Sequence, residues 1–156
     1  MAIGADHGGF ELKQQLLPFL EGLGHRVYDV GAYEIDPLDD FPDFAGAVAK
    51  RVASDEAWRG IIICGSGVGA SVAANKIPGI RASVCHDAYS ARQGVEHDDM
   101  NVLCLGARII STELAKKLVV EFLNARFLTE EKYQRRLNKV LSLERSYLRT
   151  FHSGPD

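Results

Sequence analysis

Apolar positions in the first 128 residues form short unbroken runs, separated by stretches in which they recur at helical spacing. Residues 1–5 make one such run. Phe10, Leu12, Leu16, Leu17 and Leu20 then share a helical face that stops at Gly22-Leu23-Gly24, predicting a strand and then a helix. The same pattern predicts a strand over 25–30, a helix opened by Phe41-Pro42-Asp43 and carrying Phe44, Ala47, Val48 and Val52, and a strand over 60–64. It continues with a helix over 69–75, a strand over 80–85, a helix over 87–95, a strand over 101–105 and a helix over 111–124. Strands that are apolar throughout are buried on both faces, as parallel sheets require. The expected fold is therefore α/β: an open five-stranded parallel sheet with helices on both faces, a Rossmann-like three-layer sandwich.

Beyond this unit, Tyr133, Leu137, Val140, Leu141 and Leu148 line one face of a charged helix predicted over 130–147. Residues 1–128 are read as the α/β domain and 129–152 as its helical extension. The apolar stripe could pack on its own domain or across a second subunit; Tyr147, Leu148 and Phe151, so near the end, favour a dimer, and Ser153 to Asp156 should fray.

A chain of 156 residues with 46% hydrophobic content suits one globular domain, and no repeat or low-complexity linker divides it. A net charge of −3 gives no broad footprint for nucleic acid or an anionic membrane surface. Neither a leader pattern nor a run of about 20 apolar residues is present, which points to a soluble cytoplasmic protein. Cys64, Cys85 and Cys104 are widely spaced, without the paired spacing of zinc or redox sites, and suit a reducing compartment. Cys85 and Cys104 read as small buried hydrophobes.

Sheets of this class bind ligands at the carboxyl ends of their strands. That rule selects Asp6-His7, Gly31, Cys64 to Gly69, His86-Asp87 and Gly106 to Arg108. In the loop Gly65-Ser66-Gly67-Val68-Gly69 the glycines leave backbone N–H groups unobstructed ahead of a helix, an arrangement that suits an anion. The spacing matches neither the dinucleotide fingerprint nor a P-loop. Cys64 adds a thiol whose pKa such amides should lower, making it a base or a nucleophile. A carbon-acid isomerase, a cysteine hydrolase and a non-catalytic nucleotide- or flavin-binding module all remain open on these residues.

The motifs in combination are more specific. Gly4-Ala5-Asp6-His7-Gly8-Gly9-Phe10-Glu11-Leu12-Lys13, Cys64-Gly65-Ser66-Gly67-Val68-Gly69, Ala73-Ala74-Asn75-Lys76, Gly79-Ile80-Arg81-Ala82 and Asn101-Val102-Leu103 with Gly106-Ala107-Arg108 resemble ribose-5-phosphate isomerase type B. The wider family includes galactose-6-phosphate and allose-6-phosphate isomerases. The resemblance implies interconversion of ribose 5-phosphate and ribulose 5-phosphate through a cis-enediolate, without metal or cofactor, with a hexose 6-phosphate as the alternative substrate. It implies Cys64 as the base, Ser66 as a proton carrier between the sugar oxygens, and the amides of Gly65, Ser66, Gly67, Val68 and Gly69 as the hole for the enediolate. His97 matches the ring-opening histidine. Asp6 and His7 match contacts to sugar hydroxyls and phosphate, and Arg108 and Arg136 match phosphate-binding guanidiniums. Asp98 stands where the family usually presents asparagine, and Lys132 and Tyr133 where a relative would often have arginine and histidine; Lys132 can still supply charge. The resemblance further implies a site at a dimer interface, where a partner subunit could supply the last-helix arginine, and leaves dimer and tetramer both open.

Overall fold

The computed structural model describes the backbone of residues 1–152 and the side chains of 1–148; the expected frayed end at 153–156 and the Phe151 side chain lie outside the described residues. The chain runs β1 (Ala2–Ala5), α1 (Phe10–Gly22), β2 (Tyr28–Asp29), α2 (Phe41–Ala53), β3 (Gly60–Cys64), α3 (Val68–Ala74), β4 (Ala82–Val84), α4 (Ala88–Asp98), β5 (Val102–Gly106), α5 (Thr112–Asn124) and α6 (Glu131–His152). The strands form one parallel sheet in the order β2-β1-β3-β5-β4.

Residue types explain which strands are central. β1, β3 and β5 are buried throughout, whereas β2 and β4 carry polar residues and sit half-buried at the edges. Both edge strands are shorter than their predicted runs. Of the flanking residues, Val30 and Cys85 still donate to the carbonyls of Ile3 in β1 and Cys104 in β5, at 2.9 and 3.4 Å, while the Arg81 amide donates to the Asn101 side chain at 2.8 Å.

Alternation along the central strands divides the core into two layers. Ile3, Ile61, Ile63, Leu103 and Leu105 face Leu12, Leu16 and Leu20 of α1, Ala91 and Val95 of α4, and Leu118, Val119 and Phe122 of α5. Ala2, Ile62, Cys64, Val102 and Cys104 face Ala45, Val48, Ala49 and Val52 of α2 and Ala70 and Ala74 of α3. The Cys64 side chain is thereby committed to the α2/α3 side.

α6 lies on α4, where Tyr133 and Leu137 are buried. The own-domain placement thus holds for its first turns. Further along, Val140, Leu143 and Tyr147 are more than half exposed among the described residues. No described helix is long and apolar enough to cross a membrane.

Candidate active site

From β1 the chain leads outward to β2, then returns past β1 to β3, so the carboxyl ends of β1 and β3 flank a point where the winding reverses. Such a point leaves a crevice. Asp6 follows β1 and Cys64 ends β3; together with Phe41, Ser66 and Arg108 they line a cavity of about 300 Å³.

Cys64 is largely buried within its strand, yet it lines this cavity. Gly67 turns the chain immediately afterwards with φ +81, a left-handed conformation that costs glycine little. The turn brings the Gly67 N–H back to donate to Cys64 Sγ at 3.1 Å. A side chain at Gly67 would also press on the backbone of Leu105 and Gly106. The next amide, of Val68, donates to Ser66 Oγ at 3.3 Å. The loop therefore directs two of its amides at its own thiol and hydroxyl.

The turn after β5 is stitched to this loop: Ala107 N–H donates to the Cys64 carbonyl at 2.9 Å and Arg108 N–H to that of Gly65 at 3.0 Å. The Arg108 guanidinium consequently passes over Gly65, where an added Cβ would meet it at 3.5 Å. Phe41, the first residue of α2, closes the opposite side against Gly69, whose missing Cβ makes room for the ring.

Asp6 is buried and accepts the Gly9 N–H at 3.0 Å. Burial raises its carboxyl pKa above the ordinary value, and the Gly9 amide opposes that rise. His7 faces an adjoining cavity of about 490 Å³ that shares Arg108 with the first and is also lined by Glu11 and Gln15. Its Nδ1 lies 2.6 Å from Asp39 Oδ1, and this hydrogen bond raises the imidazole pKa.

The remaining predicted residues lie elsewhere on the chain. His97, in the last turn of α4, stacks on Tyr133 with ring centroids 4.1 Å apart, and its Nδ1 lies 2.7 Å from Gln93 Nε2. Asp98 and Arg136 line a third cavity, of about 540 Å³, between β4, α4 and α6. Lys132 pairs with Glu130 at 3.0 Å, and that bond raises its pKa. None of these four lines the cavity at Cys64. Asp6, the Cys64–Gly69 loop and Arg108 come together with His7 beside them, while His97, Asp98, Lys132 and Arg136 form a separate group.

Two strand-end candidates have structural partners. His86 Nε2 accepts the Gly106 N–H at 3.2 Å, and Asp87 caps α4 by accepting the Ser90 N–H at 2.8 Å. Sequence reasoning missed Asp39 and gave Phe41 only a helix-opening role. Asp39 lies in an acidic run ahead of a helix, where carboxylates ordinarily read as caps.

Residues 1–140 match the Ribose/Galactose Isomerase family. Ribose-5-phosphate isomerase B of Escherichia coli (strain K12) is 42% identical over 144 residues, covering 92% of this chain and 95% of that protein. D-erythrulose-4-phosphate isomerase 2 of Mycolicibacterium smegmatis is 38% identical over 146 residues, covering 92% and 96%. The structure of ribose-5-phosphate isomerase B from Mycoplasma genitalium with bound ribulose-5-phosphate matches with a TM-score of 0.88 at 37% identity, over 92% of this chain and 95% of that one. The match spans the motifs at Asp6, Cys64 and Arg108, and the chain belongs to the ribose/galactose isomerase family.

Proposed function

We propose that this chain is an aldose-ketose isomerase interconverting ribose 5-phosphate and ribulose 5-phosphate, with Cys64 as the base. The observation that carries the assignment of the base is the Cys64 thiol at the switch-point crevice, held by the Gly67 amide and sharing one cavity with Asp6, Ser66 and Arg108. As thiolate, Cys64 takes the C2 proton of the open-chain aldose, and the thiol, after exchanging with solvent, protonates C1. Ser66 moves a proton between O2 and O1, and loop amides stabilise the enediolate, where fixed donors act chiefly on charge that develops during reaction. Asp6 binds sugar hydroxyls; His7 and Arg108 hold phosphate in the adjoining cavity, for which arginine's fork of donors is suited.

His97 opens the furanose ring, Asp98 contacts the sugar, and Arg136 and Lys132 add charge for the phosphate. Because these four stand apart from Cys64 in one chain, a second copy supplies them. The exposed Val140, Leu143 and Tyr147 of α6 support a homodimer whose two sites each draw on both chains.

The test is turnover in deuterated solvent. Ribose 5-phosphate should give ribulose 5-phosphate with solvent deuterium at C1, and Cys64→Ala should lower kcat by about 10²–10⁴-fold, the usual contribution of a general base. Retention of more than a small part of the activity would remove Cys64 from that role. A panel adding erythrulose 4-phosphate, allose 6-phosphate and galactose 6-phosphate fixes the substrate; ribose 5-phosphate should have the highest kcat/KM, and a higher value for any other would displace it.

A further inference from the structure

We infer that Asp39 is a positioning residue for phosphate capture: it fixes the His7 ring with Nδ1 as donor and leaves Nε2 for the substrate phosphate beside Arg108. The inference rests on the isomerase reading above, within which it gives His7 its orientation and charge.

One carboxylate oxygen makes both contacts. Asp39 Oδ1 accepts the His7 backbone N–H at 3.0 Å and lies 2.6 Å from Nδ1 of the same residue. Two bonds to one acceptor fix the ring relative to its own backbone and define the tautomer, since a carboxylate can only accept. The Asp39 side chain is only 10% exposed, and its Oδ2 is buried without a hydrogen-bond partner among the described residues. A carboxylate so enclosed is costly unless a charge compensates it. The contacting group able to do so is His7 as imidazolium.

The surroundings agree. Asp39 and Asp6 both favour the charged ring, and nearby Arg108 opposes it; Glu11 lies in the same cavity wall. The balance raises the His7 pKa, chiefly through the Asp39 bond. Below that raised value His7 is cationic and adds to Arg108 in holding an anion; above it the ring keeps its orientation but loses its charge. Phosphate affinity should therefore fall as pH rises through the His7 titration, and loss of the Asp39 charge should move that fall to lower pH.

The experiment follows imidazole nitrogens by NMR in the full chain, with inorganic phosphate as the probe, in wild type, Asp39→Asn, His7→Asn and the double variant. Asp39→Asn should lower the His7 titration midpoint and weaken phosphate binding at neutral pH by about tenfold, the order of difference expected when a charge-assisted bond is lost. KM for ribose 5-phosphate should rise in parallel with little change in kcat. In the His7→Asn background, Asp39→Asn should add little to KM, which a general structural role would not predict. Asp39→Ser provides a second replacement if the amide does not fold. An unchanged midpoint, an unchanged phosphate affinity, or a fall in kcat at constant KM would overturn the assignment. So would a wild-type His7 without a proton on Nδ1 at neutral pH, a result that needs no variant. The titration and phosphate readouts do not depend on turnover, so failure to isomerise ribose 5-phosphate would count against the function alone.

Discussion

Three cysteines lie in or beside one sheet, and what surrounds each sulfur separates them. Cys104 is enclosed in the middle of β5, and burial pushes its thiol far above the ordinary range. Cys85, just after β4, is pushed up to about 11, again mainly by burial. Cys64 ends its strand beside a cavity, with the Gly67 N–H on its sulfur. Since thiolate is the reactive species, iodoacetamide near neutral pH should label Cys64 first, and ribose 5-phosphate should slow the labelling. Mass spectrometry showing Cys85 or Cys104 modified as fast, or no protection by the sugar phosphate, would contradict that ordering. Cys64 was legible in the sequence because its loop is contiguous: a strand end, a glycine that turns the chain, and the donors that follow. The His7–Asp39 pair spans 32 residues and exists only once the turn after β1 and the approach to α2 are folded together. Local pattern carries no trace of such a contact.

At the scale of elements, hydrophobic runs identified every strand and helix of the α/β unit, and errors gathered at the edges. The runs over 25–30 and 80–85 were read as full strands, but an edge strand pairs on one side only, and the sheet retains just Tyr28–Asp29 and Ala82–Val84. Nor does chain order reveal that β5 inserts between β3 and β4, a placement that brings Arg108 over Gly65. The joint between α1 and the segment after β2 was equally hidden. Lys13, on the buried face of α1, has no exposed side-chain surface; its ammonium donates to both oxygens of Asp29 at 2.6 and 2.8 Å and to the Ala32 carbonyl at 2.6 Å. This clamp fixes the start of the segment that leads to Asp39. Removing one partner leaves a buried charge uncompensated, so Asp29→Ala should destabilise the fold by about 3 kcal/mol in urea unfolding. Lys13→Met with Asp29→Ala should cost less than Asp29→Ala alone, because no stranded charge remains. An additive double variant would show that the pair is not acting as a charge clamp.

For the whole molecule, the division of residues within one chain is the feature that matters most. Asp6, Cys64, Ser66 and Arg108 share one cavity, whereas Asp98 and Arg136 line another, with His97 stacked nearby on Tyr133. In the proposed homodimer a site drawn from both groups is incomplete in a single chain, and a symmetric pair completes it twice. That arrangement predicts complementation between inactive proteins. Cys64→Ala retains an intact second group, and the His97→Ala/Arg136→Ala variant retains an intact first group. When the two are coexpressed and associate at random, half of the dimers are mixed, and each mixed dimer has one site built entirely from unmodified residues. About a quarter of all sites should then be functional, as two-fold symmetry requires. Isolating the mixed dimer through two different affinity tags should raise this to about half. The tagged mixture should recover activity while neither parent does. If the isolated mixed dimer is as inactive as its parents, Cys64 and the His97–Arg136 group do not meet across copies, and the second group must act within its own chain or not at all.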